Sequence, residues 1–175
     1  PTAVVTQGSR VFLGSDHGDL TVFDITNWSH PTEMGRYKLN SGSGAVAVSG
    51  NYVLVGTRDE GMVILNAASP SNMVAVNHLS ELGQSIEDVE VHGSVAYVST
   101  EIGFYVLDIA NPLSIQVVGN LGSASANRRI VADGNRVVLF NMSDFQMVDI
   151  SQPTAPVIVS QKGAGAYLSG VSVLG

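Results

Sequence analysis

The chain contains no cysteine among its 175 residues, few charged residues (13%) and few aromatic residues (6%). The absence of cysteine excludes a disulfide framework and thiolate chemistry, and it leaves the redox compartment open. No apolar run approaches the roughly eighteen residues that a membrane-spanning helix needs, so no membrane insertion is expected. No stretch has helical periodicity, whereas valine and isoleucine are frequent, which favours sheets.

Basic residues are also scarce. Eight lysines and arginines stand against fifteen aspartates and glutamates, for a net charge of −7 and a pI of about 4.8. An acidic surface repels phosphate backbones, so nucleic acid is not an expected partner. The linear motifs of serine hydrolases, zinc proteases, P-loop enzymes and dinucleotide-binding domains are missing, and no catalytic residue can be named.

One sequence pattern recurs four times along the chain. A short apolar run, a polar residue and a proline recur in residues 22–31, 63–70, 106–112 and 147–153. The polar residue recurs in steps of about 42, and so does a glycine that begins each turn, at Gly8, Gly50, Gly93, Gly134 and Gly175. A period in this range predicts a propeller or a solenoid.

The second copy indicates how one repeat folds. Residues 45–49, 52–57, 62–65 and 73–79 are β-rich runs separated by turn residues, which together predict a four-stranded antiparallel meander. The continuous apolar runs indicate strands that are buried on both faces of the sheet. The first strands are rich in small residues, as expected where blades converge on an axis; those residues are Ala45, Ala47, Ala126 and Ala132. We therefore expect an all-β fold, a β-propeller with about four blades in this chain, ahead of a β-solenoid.

The expected organisation is one repeat domain that spans residues 1–175. Its four repeats cover residues 3–44, 45–85, 86–125 and 126–166, and residues 167–175 form a spare first strand. Residues 4–8 and 171–175 occupy the same place in the repeat, and both cannot fill one position of a closed four-blade ring. We expect either that the chain is part of a larger propeller or that it self-associates to complete a ring.

The recurring pattern, apolar-apolar-Asp-Ile-x-Asn/Gln-Pro after a glycine-turn strand pair, resembles the LVIVD repeat, and the best copies are residues 106–112 and 147–153. The resemblance covers nearly the whole chain and implies a β-propeller. It also implies a prokaryotic protein that is secreted or at the cell surface, and it supplies no catalytic residues. The second copy departs from the pattern, since Asn66 stands in place of the aspartate.

The repeated polar residues have a structural interpretation. Because a short side chain before a turn accepts hydrogen bonds from the backbone amides that follow, we predict this role for Asp24, Asn66, Asp108 and Asp149.

Candidate binding residues lie on the loops between second and third strands and on the connections into each first strand. These loops should share one face of the propeller, where rigid strands position binding side chains. The predicted ligand-binding set is Asp16, His17, Asp19, Arg58, Asp59, Glu60, Glu87, Asp88, Glu101, Arg128, Arg129 and Asp144. The alternative is that polar residues simply belong in solvated loops.

Metal binding has little support. Asp16, His17 and Asp19 could help to hold a divalent cation, and oxygen ligands suit Ca²⁺, but the acidic series of an EF-hand loop is absent. The other histidines, His30, His78 and His92, have no ligand spacing. We expect no metal and no cofactor.

These observations favour a non-catalytic interaction or scaffold module that binds a protein or a glycan through its loop face. The alternative is a hydrolase or lyase with a carboxylate and an arginine at the channel mouth; such an enzyme needs a deep pocket where these groups converge. Trp28, the only tryptophan, either covers a neighbouring blade or serves as an exposed anchor for a partner.

Overall fold

A computed structural model describes residues 2–122, 128–163 and 165 of the chain. It contains four antiparallel four-stranded sheets, each a meander of consecutive strands, which we call blades 1 to 4. Within these residues the only helical element is a single 3-10 turn at Pro70–Asn72, and no helix is long and apolar enough to cross a membrane. The prediction of an all-β propeller with about four blades is confirmed.

The strands are short and evenly spaced along the chain. Blade 1 consists of β1 (Ala3–Gln7), β2 (Arg10–Gly14), β3 (Asp19–Asp24) and β4 (Thr32–Lys38). Blade 2 consists of β5 (Ser43–Ser49), β6 (Tyr52–Thr57), β7 (Met62–Asn66) and β8 (Val74–Leu79). Blade 3 consists of β9 (Ile86–His92), β10 (Val95–Thr100), β11 (Phe104–Asp108) and β12 (Gln116–Leu121). Blade 4 consists of β13 (Arg129–Asp133), β14 (Arg136–Phe140), β15 (Asp144–Asp149) and β16 (Val157–Gly163).

A glycine with positive φ begins the hairpin between the first and second strands of every blade. The φ angles are +58° at Gly8, +57° at Gly50, +60° at Gly93 and +56° at Gly134. Two-residue hairpins need such angles to match the twist of the strands, and glycine reaches them without steric cost. The recurring glycine therefore fixes the same register in each blade, so that residues can be compared position by position.

Three apolar clusters hold consecutive blades together. Phe12 and Val22 of blade 1 pack against Val53 and Leu65 of blade 2. Corresponding clusters join blade 2 to blade 3 and blade 3 to blade 4. Both faces of blades 2 and 3 are thus covered, which explains why their strands are continuous apolar runs.

The innermost strands agree only in part with the prediction of small residues. Ala45, Ala47 and Ala132 are buried, as an axis with little room requires. In β9, however, Asp88 and Glu90 occupy the positions that Ala45 and Ala47 hold in β5. Ala126 and the spare strand at 171–175 lie outside the described residues.

Candidate functional site

The predicted loops do meet on one face, which we call the upper face. It carries the loops after β2, β6, β10 and β14 and the connections into β5 and β9. Backbone hydrogen bonds join the segments of blades 1 to 3: Ser43 N donates to Ser15 O (2.9 Å), Arg58 N to Gly42 O (3.0 Å), Gly61 N to Gln84 O (2.9 Å) and Glu101 N to Ser85 O (3.2 Å). Across these three blades the upper face is therefore a connected surface built on the strands.

A cavity of about 360 Å³ opens on the upper face where the innermost strands converge. Its wall takes residues from all four blades, among them Thr2, Gly44, Arg58, Ser85, Glu87 and Arg129. We call it the axial cavity. It is the place where one ligand could contact every blade at once.

Three residues of the predicted binding set, Arg58, Glu87 and Arg129, line the axial cavity. Arg58 and Arg129 are exposed, and within the described part of the chain neither guanidinium group has an ion-pair partner. Glu87 is half-buried, and its Oε1 accepts a hydrogen bond from Ser85 Oγ (2.9 Å). Because each guanidinium group has five N–H donors, the two arginines offer about ten donors to the cavity beside one carboxylate.

Glu101 shapes the cavity wall without lining it. Its two carboxylate oxygens accept hydrogen bonds from the amides of Gln84 (2.7 Å) and Ser85 (2.8 Å). Charge-assisted bonds of this kind are strong, so Glu101 fixes the segment that presents Ser85 and Glu87. This predicted binding residue has a positioning role in the structure.

The side chain of Asp88 links blade 3 to the backbone of blade 4. Asp88 Oδ2 accepts a hydrogen bond from Ile130 N (2.9 Å), and Glu90 Oε2 accepts one from Ala132 N (2.9 Å). Each bond spans 42 residues, which is one repeat. Burial raises the pKa of Asp88, while the amide of Ile130 and the charge of Arg129 oppose that rise.

The sequence did not lead us to predict a role for Glu90. The pattern that could have indicated one is the alternation of Asp88 and Glu90 on one face of a strand, at positions where β5 has alanines. Carboxylates at these two positions indicate hydrogen-bond acceptors for the unpaired backbone amides of the innermost strand in the next blade.

Arg128 and Asp144 form a shielded ion pair at the upper end of blade 4. Arg128 Nη1 lies 2.8 Å from Asp144 Oδ1, and the side chains are only 7% and 18% exposed. The hydrogen bond from Arg128 lowers the pKa of Asp144, and a further bond from Gln161 Nε2 acts in the same direction. Both predicted binding residues are therefore engaged within blade 4.

None of the five remaining predicted residues lines the axial cavity; four lie on the loops of blades 1 and 2, and Asp19 begins β3. Asp59 accepts a hydrogen bond from Ser41 Oγ (2.9 Å) and Glu60 from Asn40 Nδ2 (3.0 Å). Asp19 lies 3.6 Å from Lys38 Nζ, whereas Asp16 and His17 are exposed. Among the described residues, no three histidine or acidic side chains are grouped as a metal site requires.

The four repeated polar residues lie at the opposite end of the blades, which we call the lower face. Each accepts a hydrogen bond from the amide two residues later: Thr26 N to Asp24 (2.7 Å), Ala68 N to Asn66 (3.0 Å), Ala110 N to Asp108 (2.9 Å) and Ser151 N to Asp149 (2.8 Å). Trp28 lies on the same lower face and is 81% exposed.

The repeats match a known family model. The LVIVD repeat model matches residues 4–39, 42–79, 83–122 and 131–161. The chain belongs to the LVIVD repeat family. No curated protein sequence matches this LVIVD-repeat chain.

Several solved structures share the fold of the LVIVD-repeat chain at low sequence identity. One is the computationally designed Ika8 protein, with a TM-score of 0.76, 14% identity and coverage of 98% of this chain and 52% of that one. A chain of the mitotic checkpoint complex has a TM-score of 0.75, 12% identity and coverage of 92% and 52%. The designed Ika4 protein has a TM-score of 0.62, 17% identity and coverage of 79% and 82%. The LVIVD-repeat chain thus spans about half the length of the first two.

Proposed function

We propose that this LVIVD-repeat chain is a non-catalytic interaction module, secreted or at a prokaryotic cell surface, that binds a protein or a glycan through its upper face. The binding centre is the axial cavity, where Arg58 and Arg129 contact an acidic group of the partner. The observation that carries the proposal is the convergence of four blades on one cavity that holds two exposed arginines.

The positive charge of the axial cavity supports binding of an acidic group on the partner. The chain has only eight basic residues and a net charge of −7, yet two of its arginines line one cavity. A guanidinium group binds carboxylates and sulfates through paired N–H donors. Since Glu87 adds only one negative charge, the cavity is locally cationic on an acidic molecule.

A hydrolase or lyase is the second candidate, because Glu87 and Arg129 line the same cavity. General acid–base catalysis usually needs a second titratable group near the first. Asp88, the adjacent carboxylate, directs its oxygens to the amides of Val89 and Ile130 instead. The geometry therefore favours binding over catalysis.

An array of acidic and neutral glycans and peptides tests the proposal. We expect the bound members to carry carboxylate or sulfate groups, and Arg58→Ala and Arg129→Ala each to weaken binding about tenfold or more through loss of a charged hydrogen bond. Arg136→Ala, which removes an exposed arginine outside the cavity, is the matched control. Equal binding of neutral members by all variants would contradict the proposal.

Glu87→Gln separates the two candidate functions. A binding module should retain its ligand when this carboxylate is made neutral, and no array member should be cleaved or altered by the wild-type chain. Turnover of an array member that Glu87→Gln abolishes would establish the enzyme instead.

A further inference from the structure

A second cavity lies between the outermost strand of blade 1 and the outer strands of blade 2, near the upper face. Its volume is about 210 Å³. The residues that line it include Tyr37, Lys38, Asn40, Glu60, Ala75 and His78. We call it the outer cleft. It lies at an interface between two consecutive blades that the chain itself provides.

The loop after β6 links the outer cleft to the axial cavity. Arg58 lines the axial cavity, and Glu60 lines the outer cleft. Since these residues are two positions apart in the chain, their Cα atoms lie at most about 7 Å from each other. The buried Thr57 fixes the loop, because its Oγ1 accepts a hydrogen bond from Glu60 N (3.0 Å) and donates one to Gly61 O (2.8 Å). One loop of fixed shape therefore forms part of both walls.

Polar side chains from both blades meet in the outer cleft. Asn40 Nδ2 donates a hydrogen bond to Glu60 Oε1 (3.0 Å), and His78 Nε2 donates one to the main-chain oxygen of Glu60. Lys38 Nζ donates to the main-chain oxygen of His17. These contacts orient the side chains, while Asn40 Oδ1 and Glu60 Oε2 have no hydrogen-bond partner among the described residues. Two acceptor oxygens therefore remain for a ligand.

The repeat scaffold does not require these polar groups. At the interface between blades 2 and 3, the strand register places Ser80 where blade 1 has Lys38. It places Ile102 where blade 2 has Glu60, two positions before the first paired residue of the third strand. Blades of this chain thus pack on each other without the charged pair. This difference supports a role for the pair in binding.

The charges of the outer cleft favour a neutral ligand. Lys38 supplies one positive charge and Glu60 one negative charge, and Lys38 Nζ also lies 3.6 Å from Asp19 Oδ1. An anion would meet the like charge of Glu60, and a cation would meet that of Lys38. A neutral group that both donates and accepts hydrogen bonds can pair with either side chain.

A sugar residue has the chemistry that this wall fits. Each hydroxyl group donates one hydrogen bond and accepts others, which suits the free oxygens of Asn40 and Glu60. The carbon-bound hydrogens of a sugar ring suit the apolar part of the wall, which is formed by Val63, Ala75 and the ring of Tyr37.

The size and shape of the outer cleft indicate one unit of a longer ligand. Its volume of about 210 Å³ is below the range of about 300–1,000 Å³ that is typical of sites for whole small molecules. A bound peptide strand would pair with a row of backbone groups along a sheet edge. The polar groups of the outer cleft are instead side chains around one cavity, which favours a sugar over a peptide.

We propose that the outer cleft binds a neutral sugar residue of an acidic glycan, while a charged residue of the same glycan occupies the axial cavity. This inference rests on the proposed function, and it narrows the partner from a protein or a glycan to a glycan. The loop that carries Arg58 and Glu60 places the two sites close enough for one oligosaccharide to contact both.

Isothermal titration calorimetry with a defined panel tests the ligand class. The panel contains free glucuronate and galacturonate, and tetrasaccharides in which either acid alternates with glucose, galactose, mannose or N-acetylglucosamine. Peptides in which glutamate alternates with neutral residues complete it. We expect at least one tetrasaccharide to bind about tenfold or more tightly than the free uronic acids and the peptides, because it alone fills both sites.

Glu60→Ala tests the outer cleft separately from the axial cavity. It should weaken binding of the best tetrasaccharide about tenfold through loss of a charged hydrogen bond. The loop should keep its shape, because Thr57 holds it through main-chain groups. Glu60→Gln retains an acceptor oxygen and should keep most of the affinity. Glu81→Ala, which removes an exposed carboxylate of the same blade outside both cavities, is the matched control.

The outcomes distinguish this inference from the proposed function. If Arg58→Ala weakens binding while Glu60→Ala binds like wild type, the outer cleft is not a sugar site and the proposed function stands. A panel in which no tetrasaccharide surpasses the free uronic acids, or in which a peptide binds as tightly as the best tetrasaccharide, would also overturn the inference. Unchanged affinity in Arg58→Ala would refute the proposed function and the inference with it.

Discussion

At the scale of single residues, the recurring polar position of the repeat acts through an acceptor oxygen, which need not carry a charge. Asn66 accepts the same hydrogen bond, from Ala68 N at 3.0 Å, that Asp108 accepts from Ala110 N at 2.9 Å. The departure of the second repeat from the family pattern therefore leaves its turn intact. A side-chain acceptor that satisfies the amide two residues later is what the turn requires.

We predict that Asp108→Ala lowers the free energy of unfolding by about 1 kcal/mol, because the amide of Ala110 loses its acceptor. Asp108→Asn is the matched control and should cost much less, since it retains Oδ1. Urea denaturation measures both variants. A loss of ligand binding by folded Asp108→Ala, with stability unchanged, would show that the residue is functional.

Asp88 gives a prediction about pH. Burial raises its pKa above the ordinary value of 3.8, so the folded chain binds a proton more readily than the unfolded chain. The contribution of Asp88 to stability is thus greatest at low pH and falls as pH rises from 3.8 through the folded-state pKa. We expect the stability of Asp88→Asn relative to wild type to increase over that range and to remain constant above it.

Thermal melts of both proteins between about pH 3 and about pH 7 measure this difference in stability. The comparison cancels the titration of the other carboxylates, because each of them titrates near its own pKa in both proteins. Asp88→Ala is the complementary variant. It should destabilise the chain by about 1–3 kcal/mol, because the buried amide of Ile130 loses its acceptor. A wild-type chain that gains stability relative to Asp88→Asn as pH rises would contradict the assignment.

At the scale of elements, the outermost strand of one blade contacts the proline connection of the next. A Cβ atom at Gly35 would collide with the carbonyl oxygen of Pro70, and one at Gly119 with that of Pro153. Between blades 2 and 3, Asn77 Nδ2 donates to Pro112 O at 3.3 Å. The proline of each repeat thus marks a contact at the outer rim between blades.

We predict that Gly119→Ala lowers the free energy of unfolding by about 1–3 kcal/mol, the usual cost of forcing an extra carbon into a packed site. The oxygen it would meet belongs to the backbone, so it cannot move aside cheaply. Gly122→Ala is the matched control, because a Cβ there meets nothing within 4 Å. Equal stability of the two variants would show that blades 3 and 4 are not in contact at Pro153.

The strands and turns were predictable because their causes are local. The positive-φ glycines and the 42-residue period determine where each hairpin lies, and residues 52–57 were predicted with the same bounds as β6. The bridge from Asp88 to Ile130 was not predictable in the same way, since its two ends are one repeat apart and the acceptor's partner is a backbone amide. The same holds for which of the twelve candidate residues line the axial cavity, namely Arg58, Glu87 and Arg129, because that depends on how the blades converge.

At the scale of the whole molecule, the proposed function depends on which end of the propeller meets the partner. The upper face has the axial cavity with its two arginines. The lower face has the exposed side chain of Trp28, which is the strongest rival anchor because large exposed aromatic residues are frequent in binding hot spots.

Binding through the axial cavity is tested by the affinity of the strongest array ligand for wild type, Arg58→Ala and Trp28→Ala, measured by isothermal titration calorimetry. Arg58→Ala should weaken binding about tenfold or more, and Trp28→Ala should leave the affinity within about twofold of wild type. Loss of binding in Trp28→Ala, with Arg58→Ala unchanged, would exclude the axial cavity as the binding centre and place the binding surface on the lower face.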